Sequence, residues 1–136
     1  MSPVRLVLQA YGSDEVRVQA LYAAWSALAH RGALPLTVHA YTDRPEAFAP
    51  LALNGLETRP LSTAEIRAWK GPHGFVHRLK AAMIRDLVGR FPRDPLLYLD
   101  GDVIVTAPLA AVFARIAPGA AVMHEREYHV PTRQTA

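Results

Sequence analysis

The amino-acid sequence predicts one α/β domain, with a mostly parallel central sheet that carries helices on both faces. Apolar runs of strand length alternate with segments of helical periodicity along the chain, and this order is typical of a doubly wound sheet. The run at 96–99 is apolar at every position, as expected of a strand that is covered on both faces and central in the sheet. A chain of 136 residues can bury one hydrophobic core, so we expect a single domain over residues 1–136.

The first strand and the first helix follow from the pattern at the start of the chain. Residues 4–10 form an apolar run of strand length, and Ser13 or Asp14 is the expected cap of a helix that ends near Arg31. The apolar positions of this helix repeat at steps of three and four, which predicts a buried stripe. Its members are Val18, Leu21, Trp25 and Leu28.

The later elements are predicted by caps, breakers and periodicity. Ser62 and Glu65 match a capping box for a helix that ends near Trp69. The next helix repeats its apolar residues at steps of four, which predicts a buried line at Phe75, Leu79, Met83 and Leu87. The other expected elements are strands at 36–41, 56–61, 96–99 and 120–123, and short helical segments at 46–53 and 108–116.

The composition excludes several kinds of site. There is no cysteine, so disulfides and thiolate metal ligands are excluded. The net charge is only +3 and the basic residues are scattered, so a nucleic-acid-binding surface is not indicated. The sequence shows no signal-like stretch near its start and no apolar run that could span a bilayer. We therefore expect a cytoplasmic protein without a transmembrane segment.

Two aspartates directly after the most apolar strand are the main candidates for chemistry. Asp100 and Asp102 flank Gly101, and ligands of open α/β sheets bind beyond the carboxyl ends of the strands. In an extended segment, residues two apart point to the same side, and a glycine between them leaves room for a close approach. Carboxylate oxygens suit Mg²⁺ or Mn²⁺, which keep positions for water and phosphate oxygens. The pair therefore predicts a metal site for a nucleotide diphosphate.

Two other interpretations of this pair stay open. An Asp-Gly step between two apolar runs is also a strong signal for a β-hairpin. Phosphatases of the haloacid-dehalogenase type also carry two aspartates, separated by one residue, after a buried strand. Those enzymes resemble this chain less, because they carry the motif early and need a downstream lysine, whereas no lysine follows Asp102.

The segment 77–113 resembles the donor-binding half of GT-A glycosyltransferases, and it is most similar to the family 8 group of retaining sugar transferases. In that family a helix with an Arg-Leu pattern precedes a strand that reads Leu-Tyr-Leu-Asp-x-Asp. Here these residues are Arg78, Leu79 and 97–102. The resemblance implies a Rossmann-like nucleotide-diphospho-sugar transferase sandwich. Because family members are considerably longer, it also implies a domain that is truncated at its C-terminal acceptor side.

The resemblance implies a role for each candidate residue. Asp100 and Asp102 would hold Mn²⁺ or Mg²⁺ against the diphosphate, and Arg78 would contact the sugar nucleotide. The implied ligand is a nucleotide-diphosphate sugar, with a UDP-sugar as the expected donor, and the implied activity is transfer of the sugar to an unidentified acceptor. Four further residues would border the nucleotide, namely Tyr11, Gly12, Asp43 and Gly101.

No residue is identified as a catalytic base, and Lys80 is expected to be a surface residue. His73 and His77 receive no role. Three residues after the last expected strand offer side chains of the kind that bind metals, but their spacing matches no firm metal pattern; they are His124, Glu125 and His129. The competing interpretation is a non-catalytic or incomplete sugar-nucleotide-binding module that needs a partner. Homodimerisation stays open.

Overall fold

A four-stranded parallel sheet forms the centre of the structure, a computed structural model that describes residues 2–122. The strand order is β3-β2-β1-β4, and all three pairings are parallel. The strands are β1 (Val4–Gln9), β2 (Leu36–Thr42), β3 (Leu56–Pro60) and β4 (Leu96–Leu99). The helices are α1 (Asp14–Ala29), α2 (Thr63–Lys70), α3 (Val76–Arg90) and α4 (Ala110–Phe113), and two 3₁₀ turns lie at Pro45–Ala47 and Ala49–Leu51. The predicted α/β class and parallel sheet are confirmed.

The order of the strands creates a switch point beside β1. The chain first extends the sheet from β1 through β2 to β3, and then returns to the other side of β1 for β4. Leu8 is paired with Ala40 on one side and with Leu99 on the other, so the carboxyl ends of these three strands lie next to one another. Doubly wound proteins bind their ligands at such a point.

Helices cover both faces of the sheet, as predicted. On one face, α1 and α4 bury the side chains of Leu6 and Leu8, and the contacts are made by Ala23, Ala24, Ala27 and Phe113. On the other face, α3 packs against Val7 and Tyr41 through Leu79, Met83 and Leu87, all three of which are fully buried. The predicted line of α3 is therefore confirmed at three of its four positions.

Two helix caps follow the sequence signals. The side chain of Ser13 accepts a hydrogen bond from the Val16 backbone N–H and caps α1. Ser62 and Glu65 form both halves of the predicted capping box at the start of α2. Phe75, by contrast, is the residue before the first turn of α3 and is 59 % exposed. It was expected to be buried, and this was wrong because α3 begins at Val76, so that Phe75 is the extended N-cap residue outside the helix.

The prediction for β4 was half correct. Leu97 and Leu99 pack against the α1 side of the sheet, whereas Leu96 and Tyr98 pack against the α3 side. The apolar side chains of β4 therefore pack against helices on both faces of the sheet, as expected. Within residues 2–122, however, β4 pairs with β1 alone and is an edge strand, so its predicted central position was wrong.

The predicted buried stripe of α1 was wrong at two of its four positions. Val18 is 51 % exposed and Trp25 is 57 % exposed, whereas Leu21 and Leu28 are half-buried. The helix instead contacts the sheet through small residues at the same spacing, and these are Ala20, Ala23, Ala24 and Ala27. Alanine allows the helix axis to approach the sheet closely, and Val18 and Trp25 then fall on the outer side.

The region after β4 contains less regular structure than predicted. Val103–Val105 forms no strand, and α4 is shorter than the expected segment at 108–116. Ala120 makes only an isolated bridge with Ala117, so the predicted strand at 120–123 does not form at 120–122, and Met123 lies outside the described residues. Within the described residues, no helix is both long and apolar enough to cross a membrane.

We expect the two kinds of helix face to differ sharply in their contribution to stability. Leu79→Ala should lower the free energy of unfolding by about 2–5 kcal/mol, because it opens a cavity in a fully buried position. Trp25→Ala should change it by only about 0.5 kcal/mol, because the indole is mostly exposed. Urea denaturation followed by circular dichroism measures both. Equal losses would contradict the orientation of α1.

Candidate functional site

The candidate residues collect at the carboxyl ends of three neighbouring strands. Tyr11 and Gly12 follow β1, Asp43 follows β2, and the segment 100–102 follows β4. Because β1 separates β2 from β4, Asp43 and Asp100 lie two strand spacings apart, which is about 10 Å. The sheet therefore brings six of the seven predicted residues to one edge.

Asp100 is held by two side chains. Lys80 Nζ donates a hydrogen bond to Asp100 Oδ1 at 2.5 Å, and Tyr98 Oη donates to the same oxygen at 2.7 Å. The Lys80 ammonium also lies 5.8 Å from the centroid of the Tyr98 ring. The Asp100 side chain is 49 % exposed and that of Lys80 is 27 % exposed, so the ion pair is open to water on one side.

These contacts fix the charge states of the group. Burial raises the pKa of Asp100, but the hydrogen bonds from Lys80 and Tyr98 outweigh it, and the pKa of Asp100 lies below its usual value. Burial, the hydrogen bond to Asp100 and the charge of Asp102 all raise the pKa of Tyr98. At neutral pH, Asp100 is thus a carboxylate and Tyr98 a neutral donor. Asp100 and Asp102 therefore both raise the pKa of the Tyr98 hydroxyl.

The backbone at Asp100 turns instead of continuing as a strand. The Val103 backbone N–H donates to the Asp100 carbonyl oxygen at 3.2 Å, which closes a tight turn around Gly101 and Asp102. The expectation of an extended segment here was wrong. No hairpin forms in the described residues either, because β4 is parallel to β1 and Val103–Val105 is not a strand.

Gly101 allows this turn to pack against β1 and α1. A Cβ atom at residue 101 would lie 2.9 Å from the carbonyl oxygen of Gln9 and 3.4 Å from the Cβ atom of Ala20. The first distance is shorter than a normal contact, and its partner is backbone that cannot move aside. The close approach at Gly101 is therefore one to the end of β1; the approach of a ligand expected at this glycine stays a prediction.

Asp43 connects the loop after β1 to α1. Its Oδ1 accepts a hydrogen bond from Arg17 Nη1 at 2.8 Å, and its Oδ2 accepts one from the Gly12 backbone N–H at 3.3 Å. Arg17, which is 6 % exposed, also donates to Asp14 at 2.7 Å. Gly12 has a φ of 106°, a conformation that favours glycine. Arg17 was not identified from the sequence, and only its position three residues after Asp14 hinted at a pair.

Arg78 is the one predicted residue that the structure does not place beside the others. Its guanidinium packs against Gly71, where any Cβ atom would overlap it, and Gly71 has a φ of +72°. Arg78 also lines a cavity of about 200 Å³ with residues of α2 and α3, among them Trp69 and Arg85. Arg78 therefore lies in the groove between these two helices, and Lys80 is the α3 residue that contacts Asp100.

Both lysines of the chain lie over tyrosines of this edge. Lys70 Nζ is 5.2 Å from the ring centroid of Tyr11, as Lys80 Nζ is close to the ring of Tyr98. Lys80 was expected to be a surface residue without a role, and Tyr98 was not singled out. For Tyr98 a signal existed, because residues two apart in a strand share a face. For Lys80 the contact depends on how α3 docks on the sheet.

The residues present fit part of a divalent-metal site. Asp100 Oδ2 and the Asp102 carboxylate accept no hydrogen bond within residues 2–122. Two carboxylates suit an ion that takes its other ligands from water and phosphate. In the same residues, no group of three or more acidic or histidine side chains is placed to hold a metal. His124, Glu125 and His129 lie outside the described part of the chain.

We expect Gly101→Ala to destabilise the protein by about 1–3 kcal/mol, because the added methyl group overpacks against the end of β1. Gly89→Ala is the matched control. Nothing lies within 4 Å of a Cβ atom at residue 89, and alanine is the better helix former, so this change should add about 0.5–1 kcal/mol. Urea denaturation measures both. Equal stability of the two variants would contradict the packing of the turn.

Comparison with models of protein families, with curated proteins and with solved structures gives no match to this chain. The function proposed below therefore rests on the chain's own residues and on their arrangement at the edge of the sheet.

Proposed function

We propose that the chain is the donor-binding domain of a metal-dependent GT-A glycosyltransferase. It binds a nucleotide-diphosphate sugar, with Asp100 and Asp102 holding Mn²⁺ or Mg²⁺ against the diphosphate. The observation that carries this proposal is the position of the 100–102 turn at the switch point between β1 and β4. Nucleotides of doubly wound proteins bind in the crevice outside that point.

The charge of the turn supports the metal role. Asp100 stays ionised because two donors stabilise its carboxylate, and Asp102 adds a second carboxylate nearby. Hard divalent cations bind such oxygens and keep open positions for phosphate. The residues of the turn therefore suit an ion that bridges protein and diphosphate.

The nucleoside side of the site is proposed at the ends of β1 and β2. An acidic residue after a neighbouring strand can hydrogen-bond ribose hydroxyls in this class of fold, and Asp43 occupies such a position. Two of its lone pairs are used by Arg17 and Gly12, and a carboxylate can accept about four hydrogen bonds. Tyr11 is proposed to stack on a base, which requires Lys70 to move off the ring of this tyrosine. The family resemblance points to uridine.

The chemistry proposed for the site is stabilisation of a leaving diphosphate. A bound divalent cation would supply Lewis-acid stabilisation of the charge that develops on the diphosphate. Asp100 and Asp102 would position that cation. Arg78 is proposed to contact the sugar nucleotide on the strength of the resemblance, from its place in the α2–α3 groove. Transfer with retention follows from the same resemblance, and the acceptor is not identified.

A non-catalytic sugar-nucleotide-binding module is the second candidate. Its support is the small ligand set, because the described residues offer two carboxylates and no third metal-binding side chain. Incubation with Mn²⁺ and a labelled UDP-sugar separates the candidates. Slow, metal-dependent release of UDP would favour the transferase, and binding without release would favour the module.

A cytoplasmic location and a homodimer stay predictions.

We expect UDP with Mn²⁺ to raise the melting temperature of the protein more than UDP alone, GDP or ADP. A ligand at a hundred times its Kd stabilises the folded state by about 2.7 kcal/mol. Asp102→Ala should remove the part of the shift that depends on the metal. Asp94→Asn is the control, because Asp94 pairs with Arg5 near the opposite end of β4, and its shift should equal that of the wild type.

Two outcomes of this thermal-shift panel would count against the proposal. Equal metal-dependent shifts for the wild type and for Asp102→Ala would remove the metal role of the turn. The absence of a shift with any of the three nucleotides would contradict a nucleotide site at this edge.

A further inference from the structure

An ion pair uses one oxygen of a carboxylate that the proposed function needs as a metal ligand. We propose that Lys80 is an internal counter-ion that competes with a divalent cation for Asp100, so that a metal binds fully only when Lys80 leaves this carboxylate. The proposal rests on the proposed function, which gives the divalent cation at Asp100 and Asp102 its role. Its physical basis is the contact of Lys80 Nζ with Asp100 Oδ1.

The ammonium of Lys80 is held in place from several sides. It contacts Asp100 Oδ1 at 2.5 Å, shares that oxygen with Tyr98 Oη, and lies near the face of the Tyr98 ring. The side chain is 27 % exposed, so most of it is packed on the protein. Lys80 therefore neutralises Asp100 beside the position proposed for the metal ion.

A divalent cation and this ammonium cannot share the site without a cost. An ion on Asp100 Oδ2 and Asp102 would lie within a few ångströms of Nζ, and like charges at that separation repel strongly near a protein surface. Removing the Lys80 charge should therefore strengthen metal binding.

Lysine is suited to a change of partner. Its compact ammonium sits on a flexible four-carbon stem, so it can leave Asp100 while the stem stays packed. A diphosphate next to the metal would offer the displaced ammonium a new anionic partner. Metal and nucleotide would then bind cooperatively, because the metal displaces the Lys80 ammonium and the diphosphate provides its new partner.

The test is the affinity of the full chain for Mn²⁺ alone, measured by electron paramagnetic resonance of the free aqueous ion. Lys80→Met keeps an apolar stem and removes the charge, and we expect it to bind Mn²⁺ about fivefold tighter or more, the lower range of typical coupling. Lys80→Arg keeps the charge and should stay close to the wild type. Circular dichroism melting confirms that each variant is folded.

Two controls separate a direct contact from a general effect of charge. Lys70→Met makes the same change at the other lysine, whose ammonium lies over Tyr11, and it should change the Mn²⁺ affinity by less than about twofold, because screened charges act weakly. In an Asp100→Asn background, Lys80→Met should no longer tighten binding, since the contested carboxylate is gone.

Several outcomes would overturn the proposal. They are an unchanged or weaker Mn²⁺ affinity of Lys80→Met, an equal gain in Lys70→Met, and no Mn²⁺ binding by any variant. UDP binding together with an unchanged Mn²⁺ affinity of Lys80→Met would overturn this proposal and leave the proposed function intact. Tighter Mn²⁺ binding by Lys80→Met without any nucleotide shift would support the competition and contradict the proposed function.

Discussion

The parallel pairing of β4 with β1 is the constraint on which the site depends. Leu8 and Leu99 are register partners, so the backbone of residue 100 emerges beside the end of β1, and the loops after β1, β2 and β4 open on the same edge. Parallel strands require long crossovers, which here carry α1 to one face of the sheet and α2 and α3 to the other. The same pairing that buries the core therefore also aligns the candidate side chains.

Two carboxylates flank the end of β1, and each is held by one cation and one further donor. Asp43 is held by the buried Arg17 and by the Gly12 amide, whereas Asp100 is held by Lys80 and Tyr98. The first arrangement shapes the loop after β1, because the arginine is almost completely buried. The second arrangement is half-exposed, and its cation belongs to a flexible side chain. The edge thus combines a fixed structural pair with an exchangeable one.

Local signals predicted more of this structure than long-range ones did. The capping box of Ser62 and Glu65 and the buried line of α3 could be predicted because they depend on residues within one or two turns. The buried face of α1 could not, since alanines and large apolar residues repeat at the same spacing, and only docking decides which set faces the sheet. The contact between Lys80 and Asp100 joins residues far apart in the sequence, so it depends on how α3 docks. The turn at Gly101 was missed because its packing partner, the Gln9 carbonyl group, belongs to another strand.

The alanine face of α1 affects the position of the Asp100 and Asp102 carboxylates. Ala20 is fully buried, and its methyl group would be the second neighbour of any side chain at residue 101. The distance between α1 and the sheet therefore sets the position of the turn at 100–102. A larger side chain at residue 20 would displace both carboxylates of the turn together without removing any polar side chain of the edge. Small apolar residues packed behind a polar site can in this way determine where its polar side chains lie.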